Sequence, residues 1–331
     1  MPDINRRTLL AGVAATSALA ATASIAQSDV VAPDADMTGK SVLITGCSTG
    51  FGRLMAEDYA RKGAKVFATM RNLPRPEADE LEALAEAESL DLTVLQIDVT
   101  SDDQVAAGVA RAEQLAGGAL DILINNAGTS VGGPIEIQDM EATKLLFETN
   151  VYGPHRMARA ALPAMRAAKS GLIVNISSQL GRVIAPGYAQ YSPSKFALEA
   201  MSEQMAYELV PHGVDVLIIQ PGGYPTMIWK NANDNALALL ERADAKHTSG
   251  YEAMVAQLGQ RTDGGSTDPM DVPNAIAEII AMPAGARPLR REVHPGTKPQ
   301  MAINAVSAKV QVDWLGGSPF GPWIKAVHNA S

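Results

Sequence analysis

The sequence predicts an α/β protein built on a doubly wound parallel sheet, in a single domain with a lid insertion. From Lys40 onward, short and nearly continuous apolar runs alternate with helical patterns. Such runs are typical of strands that are buried on both faces of a parallel sheet. Because crossovers between parallel strands are right-handed, the doubly wound arrangement is the favoured solution. The 331 residues are 47% apolar, which supplies the large core that this sheet requires.

The predicted elements follow one another without an internal repeat. Six strands are predicted at 41–45, 64–70, 92–98, 120–125, 171–177 and 214–220. Helices are predicted at 51–63, 77–88, 102–118, about 139–169 with an interruption near 150–154, and 194–213. In the last of these helices, Leu198, Met201, Met205 and Leu209 form one stripe, which predicts an apolar face in the core.

The pattern loosens after the sixth strand. Residues 224–268 show one or two short helices among polar residues, and an insertion of this length beside a ligand site is typical of a lid. A helix at 271–282 and a last strand at 289–296 complete a domain that spans 40–295. The tail, 296–331, receives no predicted role.

The N-terminus, residues 1–28, has the layout of a bacterial export signal. Arg6 and Arg7 precede an uncharged run of 21 residues, and small residues allow cleavage after position 23 or 26. Twin arginines favour the Tat route and a periplasmic location, with a cytoplasmic location expected if the signal does not function. Residues 29–39 are interpreted as a linker. The run is too weakly hydrophobic for a good spanning helix, so no stable membrane span is expected after signal removal.

Charge and composition exclude several other classes. The net charge of −9 disfavours a nucleic-acid partner. Cys47 is the only cysteine, so no internal disulfide framework is expected. The five histidines do not have metal-ligand spacing, and no metal site is predicted.

A glycine-rich turn joins the first strand to the first helix. Gly46, Gly50 and Gly52 lie in the stretch TGCSTGFG and remove side chains that would hold a phosphate away from the backbone. The free N–H groups at the start of the helix favour an anion such as a pyrophosphate. Since the turn opens the first β-α-β unit, it indicates a Rossmann-type dinucleotide site.

Further motifs follow this turn in a fixed order. Asp98-Val99 ends the third strand, NNAG (125–128) ends the fourth, Asn150 interrupts the long helix, and Ser178 ends the fifth strand. Tyr191 lies 13 residues after Ser178, Lys195 four residues after Tyr191, and PGGYPT (221–226) follows. Together these motifs resemble the short-chain dehydrogenase/reductase family over about residues 38–295. TGCSTGFG, VFATMR and YSPSKFALEA look most similar to its hydroxysteroid and retinol dehydrogenase branch.

The resemblance implies a catalytic set of Asn150, Ser178, Tyr191 and Lys195. Tyr191 would act as general acid or base, and a nearby ammonium such as that of Lys195 is expected to lower its pKa. In the family the lysine also bonds the nicotinamide ribose, the serine positions the substrate oxygen, and the asparagine holds a water that relays protons. Pro193 stands where the family usually has a small residue, and proline is tolerated in a first helical turn.

The resemblance also implies a set of cofactor-binding residues. These are Gly46, Ser48, Thr49, Gly50, Phe51, Gly52, Arg71, Asp98, Val99, Asn126, Ala127, Gly128, Tyr191, Lys195, Pro221, Gly222 and Thr226. A carboxylate after the second strand would select NAD, but Arg71 stands there instead and can pair with a 2′-phosphate. NADP is therefore favoured over NAD. In the other interpretation, Arg71 stacks on the adenine without selecting.

The resemblance implies NADP(H)-dependent interconversion of a ketone or aldehyde and its alcohol. A hydrophobic substrate is expected because the lid is rich in apolar residues. Two alternatives stay open: an epimerase or dehydratase on the same fold, and a non-catalytic NADP-binding module. The resemblance also implies a homo-dimer or tetramer formed through the helices around Asn150 and Leu198.

Overall fold

The computed structural model describes residues 35–260 and 264–330. The predicted export signal and most of the linker lie outside the described residues. Seven strands form the sheet: β1 (Ser41–Ile44), β2 (Lys65–Met70), β3 (Leu92–Gln96), β4 (Ile122–Asn125), β5 (Gly171–Ile176), β6 (Val214–Pro221) and β7 (Arg290–Val293). They lie in the order β3-β2-β1-β4-β5-β6-β7, and every neighbouring pair is parallel. The predicted doubly wound sheet is confirmed.

Helices cover both faces of this sheet. In chain order they are α1 (Gly50–Arg61), α2 (Pro76–Glu88), α3 (Asp102–Ala116), α4 (Met140–Phe147), α5 (Gly153–Ala168), α6 (Tyr191–Leu209), α7 (Ile228–Arg242), α8 (Ala245–Thr248), α9 (Glu252–Val255), α10 (Asp271–Ile280), α11 (Gln300–Leu315) and α12 (Gly321–Val327). Alternate side chains of β1 enter opposite cores: Val42 and Ile44 pack with α1 and α10, whereas Leu43 packs with α3 and α5. Burial on both faces explains the continuous apolar runs of the strands.

The strand order places the site. β1 pairs with β2 on one side and with β4 on the other, so the chain reverses its direction of winding beside β1. The connections after β1 and β4 therefore leave the sheet on opposite faces and open a crevice between them. Ligands of doubly wound proteins bind in this crevice, at the carboxyl ends of the strands.

The long helix predicted at 139–169 is interrupted as expected. A single π-helical turn, Glu148–Tyr152, separates α4 from α5 and contains Asn150. Such turns occur mostly as one-turn insertions in α-helices, often at functional sites. The predicted dimer or tetramer through this helix and α6 stays a prediction.

The buried face of α6 differs from the predicted apolar stripe. Leu198 and Leu209 are buried, but Met201 and Met205 are only half-buried. Most of the buried residues are polar or charged: Ser192, Ser194, Lys195, Glu199, Ser202 and Glu203. The physical reason lies on β7, where Arg290 Nε donates to Glu199 at 2.8 Å and Arg290 Nη2 to Glu203 at 2.6 Å. This buried cation allows two carboxylates to face the core.

The insertion contains more helix than expected. Three helices, α7 to α9, replace the one or two short helices predicted, and α7 alone has 15 residues. Hydrogen bonds and an ion pair attach α7 to the connection after β4. Asn235 Nδ2 donates to Ser130 O at 3.0 Å, and Arg242 Nε pairs with Asp139 at 2.5 Å. The first half of α7 thus forms part of the wall of the crevice, and the action of the insertion as a lid stays a prediction.

The tail forms α11 and α12 and packs on the domain. Asn304 of α11 donates to Gln220 Oε1 at 2.8 Å, and His328, after α12, lies 2.7 Å from the Tyr207 hydroxyl of α6. The outer side of α11 exposes large apolar residues: Met301, Ile303, Val306, Val310 and Trp314. None of the helices in 35–260 and 264–330 combines the length and apolarity needed to cross a membrane.

Candidate active site

A cavity of about 600 Å³ fills the crevice at the carboxyl ends of the strands. Its walls come from the glycine-rich turn, the ends of β2 to β6, the start of α6 and the first half of α7. Nearly all the residues predicted to bind a cofactor or substrate lie on these walls. They are Gly46, Ser48, Thr49, Gly50, Phe51, Arg71, Asp98, Val99, Asn126, Ala127, Gly128, Ser178, Tyr191, Lys195, Pro221, Gly222 and Thr226.

The glycine-rich turn fits the phosphates of a dinucleotide. Gly46 and Gly50 have φ values of +73° and +59°, a region that favours glycine. Thr49 precedes α1 and makes no side-chain cap hydrogen bond, so the first N–H groups of α1 have no side-chain acceptor. Gly50 and Phe51 line the cavity at this point. The turn therefore presents backbone donors to an anion.

Gly52 is one of two predicted residues that do not line the cavity. A Cβ atom at this position would lie 2.3 Å from Gly46 O and 2.5 Å from Asn126 Nδ2. Asn126 Nδ2 itself donates to Thr45 O at 2.8 Å. The absence of a side chain at Gly52 thus lets α1 pack against the turn and the end of β4. Gly52 therefore supports the turn by close packing without lining the cavity.

Ser178, Tyr191 and Lys195 meet on the wall opposite the turn. Ser178 follows β5, while Tyr191 and Lys195 lie one turn apart at the start of α6. Their spacing places the Lys195 ammonium 5.8 Å from the centre of the Tyr191 ring. Lys195 Nζ donates to Ile176 O at 2.8 Å, which fixes its long side chain. The predicted juxtaposition of hydroxyl, phenol and ammonium is present in the structure.

The pKa of Tyr191 departs in the opposite direction from the one expected. Burial raises the pKa of the phenol from 10.0 to about 12, and a hydrogen bond with Ser178 opposes this only in part. Desolvation of the phenolate is the largest cause of the shift, and the expected lowering by Lys195 is not among its causes. Tyr191 therefore holds its proton at neutral pH.

Lys195 is affected by burial as well. Its side chain is only 5% exposed, and desolvation lowers the pKa of the ammonium from 10.5 to about 8. Glu199, one turn further along α6, opposes this effect and favours the charged form. The Glu199 carboxylate is held by Gln220 Nε2 at 2.8 Å and Arg290 Nε at 2.8 Å. Lys195 thus remains mostly protonated at neutral pH.

Asn150 is the second predicted residue that does not line the cavity. It is fully buried in the π-helical turn, where Oδ1 accepts from Thr129 N at 2.9 Å. Nδ2 donates to Thr129 O at 2.9 Å and to Ser194 Oγ at 3.1 Å. A Cβ atom at Gly128 would lie 3.5 Å from Asn150 Oδ1 and 3.8 Å from Lys195 Nζ. Asn150 and Lys195 therefore both lie close to Gly128, although Asn150 does not line the cavity. The role of Asn150 in a proton relay stays a prediction.

Two arginines lie at the far end of the cavity. Arg71 directly follows β2, is exposed and makes no ion pair with any other described residue. Arg75 was missed in the sequence although it follows in the same connection, and both of its hydrogen bonds to Glu77 measure 2.9 Å. These bonds lower the pKa of Glu77 to about 2. Arg75 is thus already neutralised, whereas Arg71 is available to an anion.

The substrate side of the cavity includes further residues that sequence reasoning missed. Leu145, Thr149, Gln179, Leu180 and Tyr188 line it together with the lid residues Met227, Ile228 and Trp229. Tyr188 stands three positions before Tyr191, and their ring centres lie 6.4 Å apart. The aromatic residue three positions before Tyr191 was the available signal. In the described ranges, no group of three or more His, Cys, Asp or Glu side chains could hold a metal ion.

Comparison with known proteins gives consistent matches. The model of the short chain dehydrogenase family matches residues 40–237. The uncharacterized oxidoreductase YusZ of Bacillus subtilis is 35% identical over 246 residues, which are 73% of this chain and 85% of that protein. Bovine retinol dehydrogenase 8 is 32% identical over 272 residues, covering 81% of this chain and 85% of its own. A Burkholderia phymatum short chain dehydrogenase/reductase, solved in complex with NAD, superposes with a TM-score of 0.68 at 25% identity, covering 86% and 97% of the two chains.

Proposed function

Because this chain belongs to the short-chain dehydrogenase/reductase family, we propose that it interconverts hydrophobic ketones or aldehydes and their alcohols with NADP(H). As a member of this family, it is an oxidoreductase that acts on CH–OH groups with a nicotinamide cofactor. The predicted branch is confirmed by retinol dehydrogenase 8 among its relatives. The observation that carries the proposal is the meeting of Ser178, Tyr191 and Lys195 on the wall of one cavity.

The proposed chemistry divides between cofactor and protein. A bound nicotinamide supplies or accepts the hydride. The substrate oxygen lies near Ser178 and Tyr191, where two hydroxyl donors position it and stabilise developing negative charge. Tyr191 donates its proton to that oxygen during carbonyl reduction, since its raised pKa keeps the phenol protonated at neutral pH.

Lys195 supports this step by holding the cofactor. Its ammonium lies 5.8 Å from the Tyr191 ring centre, where it would bond the nicotinamide ribose. Glu199 keeps Lys195 charged against the effect of burial. In the oxidative direction the same groups return the proton to solvent, and Asn150 is the residue proposed to hold the relaying water.

A hydrophobic substrate follows from the cavity wall. Leu145, Leu180, Met227, Ile228 and Trp229 surround the space in front of Tyr191. Apolar walls with a few placed hydroxyl groups bind apolar molecules that carry one polar group. The name of the relative retinol dehydrogenase 8 indicates an alcohol of this kind.

An assay of NADPH consumption across a panel of ketones and aldehydes tests this function. Oxidation of one NADPH for each alcohol formed would support it. Product formation without net change in the cofactor would favour an epimerase or dehydratase. Cofactor binding without turnover of any compound would favour the non-catalytic module.

The preference for NADP is proposed on the position of Arg71. Its exposed guanidinium lines the cavity without an ion pair in the described ranges, and a guanidinium pairs well with a phosphate. The Burkholderia relative was solved with NAD, so the selectivity of this chain depends on its own residues.

Replacement of Arg71 by aspartate is expected to shift the preference from NADP towards NAD by about a hundredfold, because a carboxylate repels the 2′-phosphate and accepts a bond from a 2′-hydroxyl. The measurement is the ratio of kcat/KM for the two cofactors. Arg159→Asp introduces the same charge change on the exposed side of α5 and serves as control. An unchanged ratio in Arg71→Asp would remove Arg71 from this role.

Export through the Tat route is also proposed, because Arg6 and Arg7 precede the uncharged run 8–28. By resemblance this route carries folded proteins, so the protein would bind NADP in the cytoplasm and cross the membrane loaded. Cell fractionation is expected to find the native protein in the periplasm and the double variant Arg6→Lys, Arg7→Lys in the cytoplasm with full activity. The control Arg159→Lys, Arg166→Lys changes two exposed arginines of α5 and should still be exported. A cytoplasmic native protein with residues 1–28 uncleaved would contradict export.

A further inference from the structure

A second cavity, of about 480 Å³, adjoins the first, and Tyr188 and Trp229 line both. We propose that this second cavity is a distal subsite, which binds the far end of an extended, uncharged substrate whose carbonyl lies at Tyr191. The inference rests on the proposed function, because it takes the position of the carbonyl from there. It adds the length of the substrate and the chemistry of its far end.

Three separate segments build the subsite. The connection after β4 contributes Gly133, the loop before α6 contributes Pro186 to Tyr188, and the insertion contributes Trp229 and residues at and after α9. Gly133 N donates to Gly187 O at 3.0 Å, which joins the first two segments. Gly133 has a φ of +128°, which L side chains rarely adopt, so the wall stays free of a side chain there.

The insertion is held against these segments. Trp229 Nε1 donates to Tyr224 O at 2.8 Å, which fixes the indole that separates the two cavities. Near the start of α9, the Tyr251 hydroxyl donates to Glu136 Oε2 at 3.1 Å. The walls are therefore positioned without a ligand. A preformed site of this kind binds its ligand at a smaller entropic cost.

The lining of the subsite determines which group it accepts. Its larger side chains are apolar or aromatic: Pro186, Tyr188, Trp229, Met254 and Leu258. Gln257 and Gln260 add two amides, and none of the lining residues that the structure describes is charged. Because none of these described residues could pair with a carboxylate or an ammonium, the subsite favours a neutral chain or ring system.

Gln257 supplies the polar contact at the far end. The Gln260 amide donates to Ala256 O at 2.9 Å, whereas the exposed Gln257 side chain forms no hydrogen bond in the part of the chain described. An amide both donates and accepts, so Gln257 can bind a hydroxyl or a carbonyl oxygen. The substrate class is therefore an extended apolar carbonyl compound with a hydroxyl or carbonyl group at its opposite end.

Three ketones that differ in chain length or in a terminal hydroxyl group test the subsite: 2-hexanone, 2-dodecanone and 12-hydroxydodecan-2-one. Leu258→Trp places an indole in the second cavity. It is expected to lower kcat/KM for both long ketones at least tenfold and to leave 2-hexanone within about twofold. Met282→Trp adds the same side chain at an exposed position two residues after α10 and should change none of the three values.

A second variant addresses the polar end without disturbing the fold. Gln257→Leu is expected to reduce the preference for 12-hydroxydodecan-2-one over 2-dodecanone about fivefold, which is the effect of one hydrogen bond. Gln114→Leu, at an exposed position of α3, is the matched control. Since Gln257 is exposed, this variant remains informative even if Leu258→Trp fails to fold.

The outcomes separate the subsite from the proposed function. Equal losses for short and long ketones in Leu258→Trp, or an unchanged preference in Gln257→Leu, would overturn the subsite and leave the function standing. If the native protein reduced no ketone, the proposed function would fail, and calorimetric titration with 1,12-dodecanediol would decide the subsite. Binding weakened at least fivefold by Gln257→Leu would then support it, and equal affinities would overturn it.

Discussion

Replacement of Tyr191 by phenylalanine is expected to lower kcat for carbonyl reduction about a thousandfold, because it removes the proton donor and leaves the ring in place. Ser178 loses its hydrogen bond with the phenol, while Lys195 keeps its hydrogen bond to Ile176 O at 2.8 Å. The affinity for NADPH should therefore stay within a few-fold of the native value. Single-turnover kinetics measure the chemical step, and fluorescence titration measures cofactor binding.

A matched control separates the loss of the donor from the loss of a phenol in general. Tyr152→Phe removes a hydroxyl from an exposed tyrosine of the π-helical turn and should leave kcat unchanged. If Tyr191→Phe retained native turnover, Tyr191 would not be the acid. If it lost cofactor binding to the same extent as turnover, the variant would have disturbed the site as a whole.

Replacement of Arg290 by methionine is expected to lower the free energy of unfolding by about 3–5 kcal/mol. Arg290 is the cation that pairs with both Glu199 and Glu203, at 2.8 Å and 2.6 Å, and all three side chains are nearly buried. Methionine fills a similar volume but leaves the two carboxylates without their cation. Denaturant unfolding at pH 7 measures the loss.

The neighbouring Arg291 provides the control. It pairs with Glu278 at 3.1 Å, where both side chains are about 40% exposed, and Arg291→Met should change stability by less than about 1 kcal/mol. Equal effects of the two variants would show that the buried cluster does not depend on Arg290.

The pH dependence of the Arg290→Met effect follows from Glu203. In the native protein, Arg290 and its other neighbours outweigh burial and lower the pKa of Glu203 below 4.5. A lowered pKa contributes stability above the unfolded value of 4.5, and this contribution is lost as the pH falls through the folded value. Without Arg290, only Tyr207 and His328 would oppose the effect of burial, so that pKa is expected to rise above its native value. The stability deficit of the variant should therefore be largest above pH 5 and shrink as the pH falls towards 4.

The strands and the cofactor turn were predictable because their signals are local. A strand that is buried on both faces must be apolar throughout, as Val42, Leu43 and Ile44 show. The turn requires glycine at Gly46 and Gly50, where φ is positive. Likewise, the spacing of Tyr191 and Lys195 depends only on helical geometry.

The missed features depend on distant contacts. Glu199 and Glu203 can face the core only because Arg290 reaches them from 91 and 87 residues away, and no local pattern shows that pairing. The pKa of Tyr191 was predicted from one neighbouring charge, although burial by the whole cavity wall dominates it. The length of α7 was underestimated because polar residues such as Asn235 attach it to distant parts of the chain. Asn235 forms a hydrogen bond with a residue 105 positions earlier.

The buried cluster beneath α6 also sets the order in which the chain can become active during synthesis. The helix α6 carries Glu199 and Glu203, but their countercharge, Arg290, leaves the ribosome much later. The final partners, Asn304 on Gln220 and His328 on Tyr207, follow within the last 28 residues. Because segments fold as they emerge from the N-terminal side, the sheet can form early while α6 still lacks its support. A chain cut short before β7 would possess every predicted catalytic residue and yet lack Arg290, the cation that pairs with both Glu199 and Glu203.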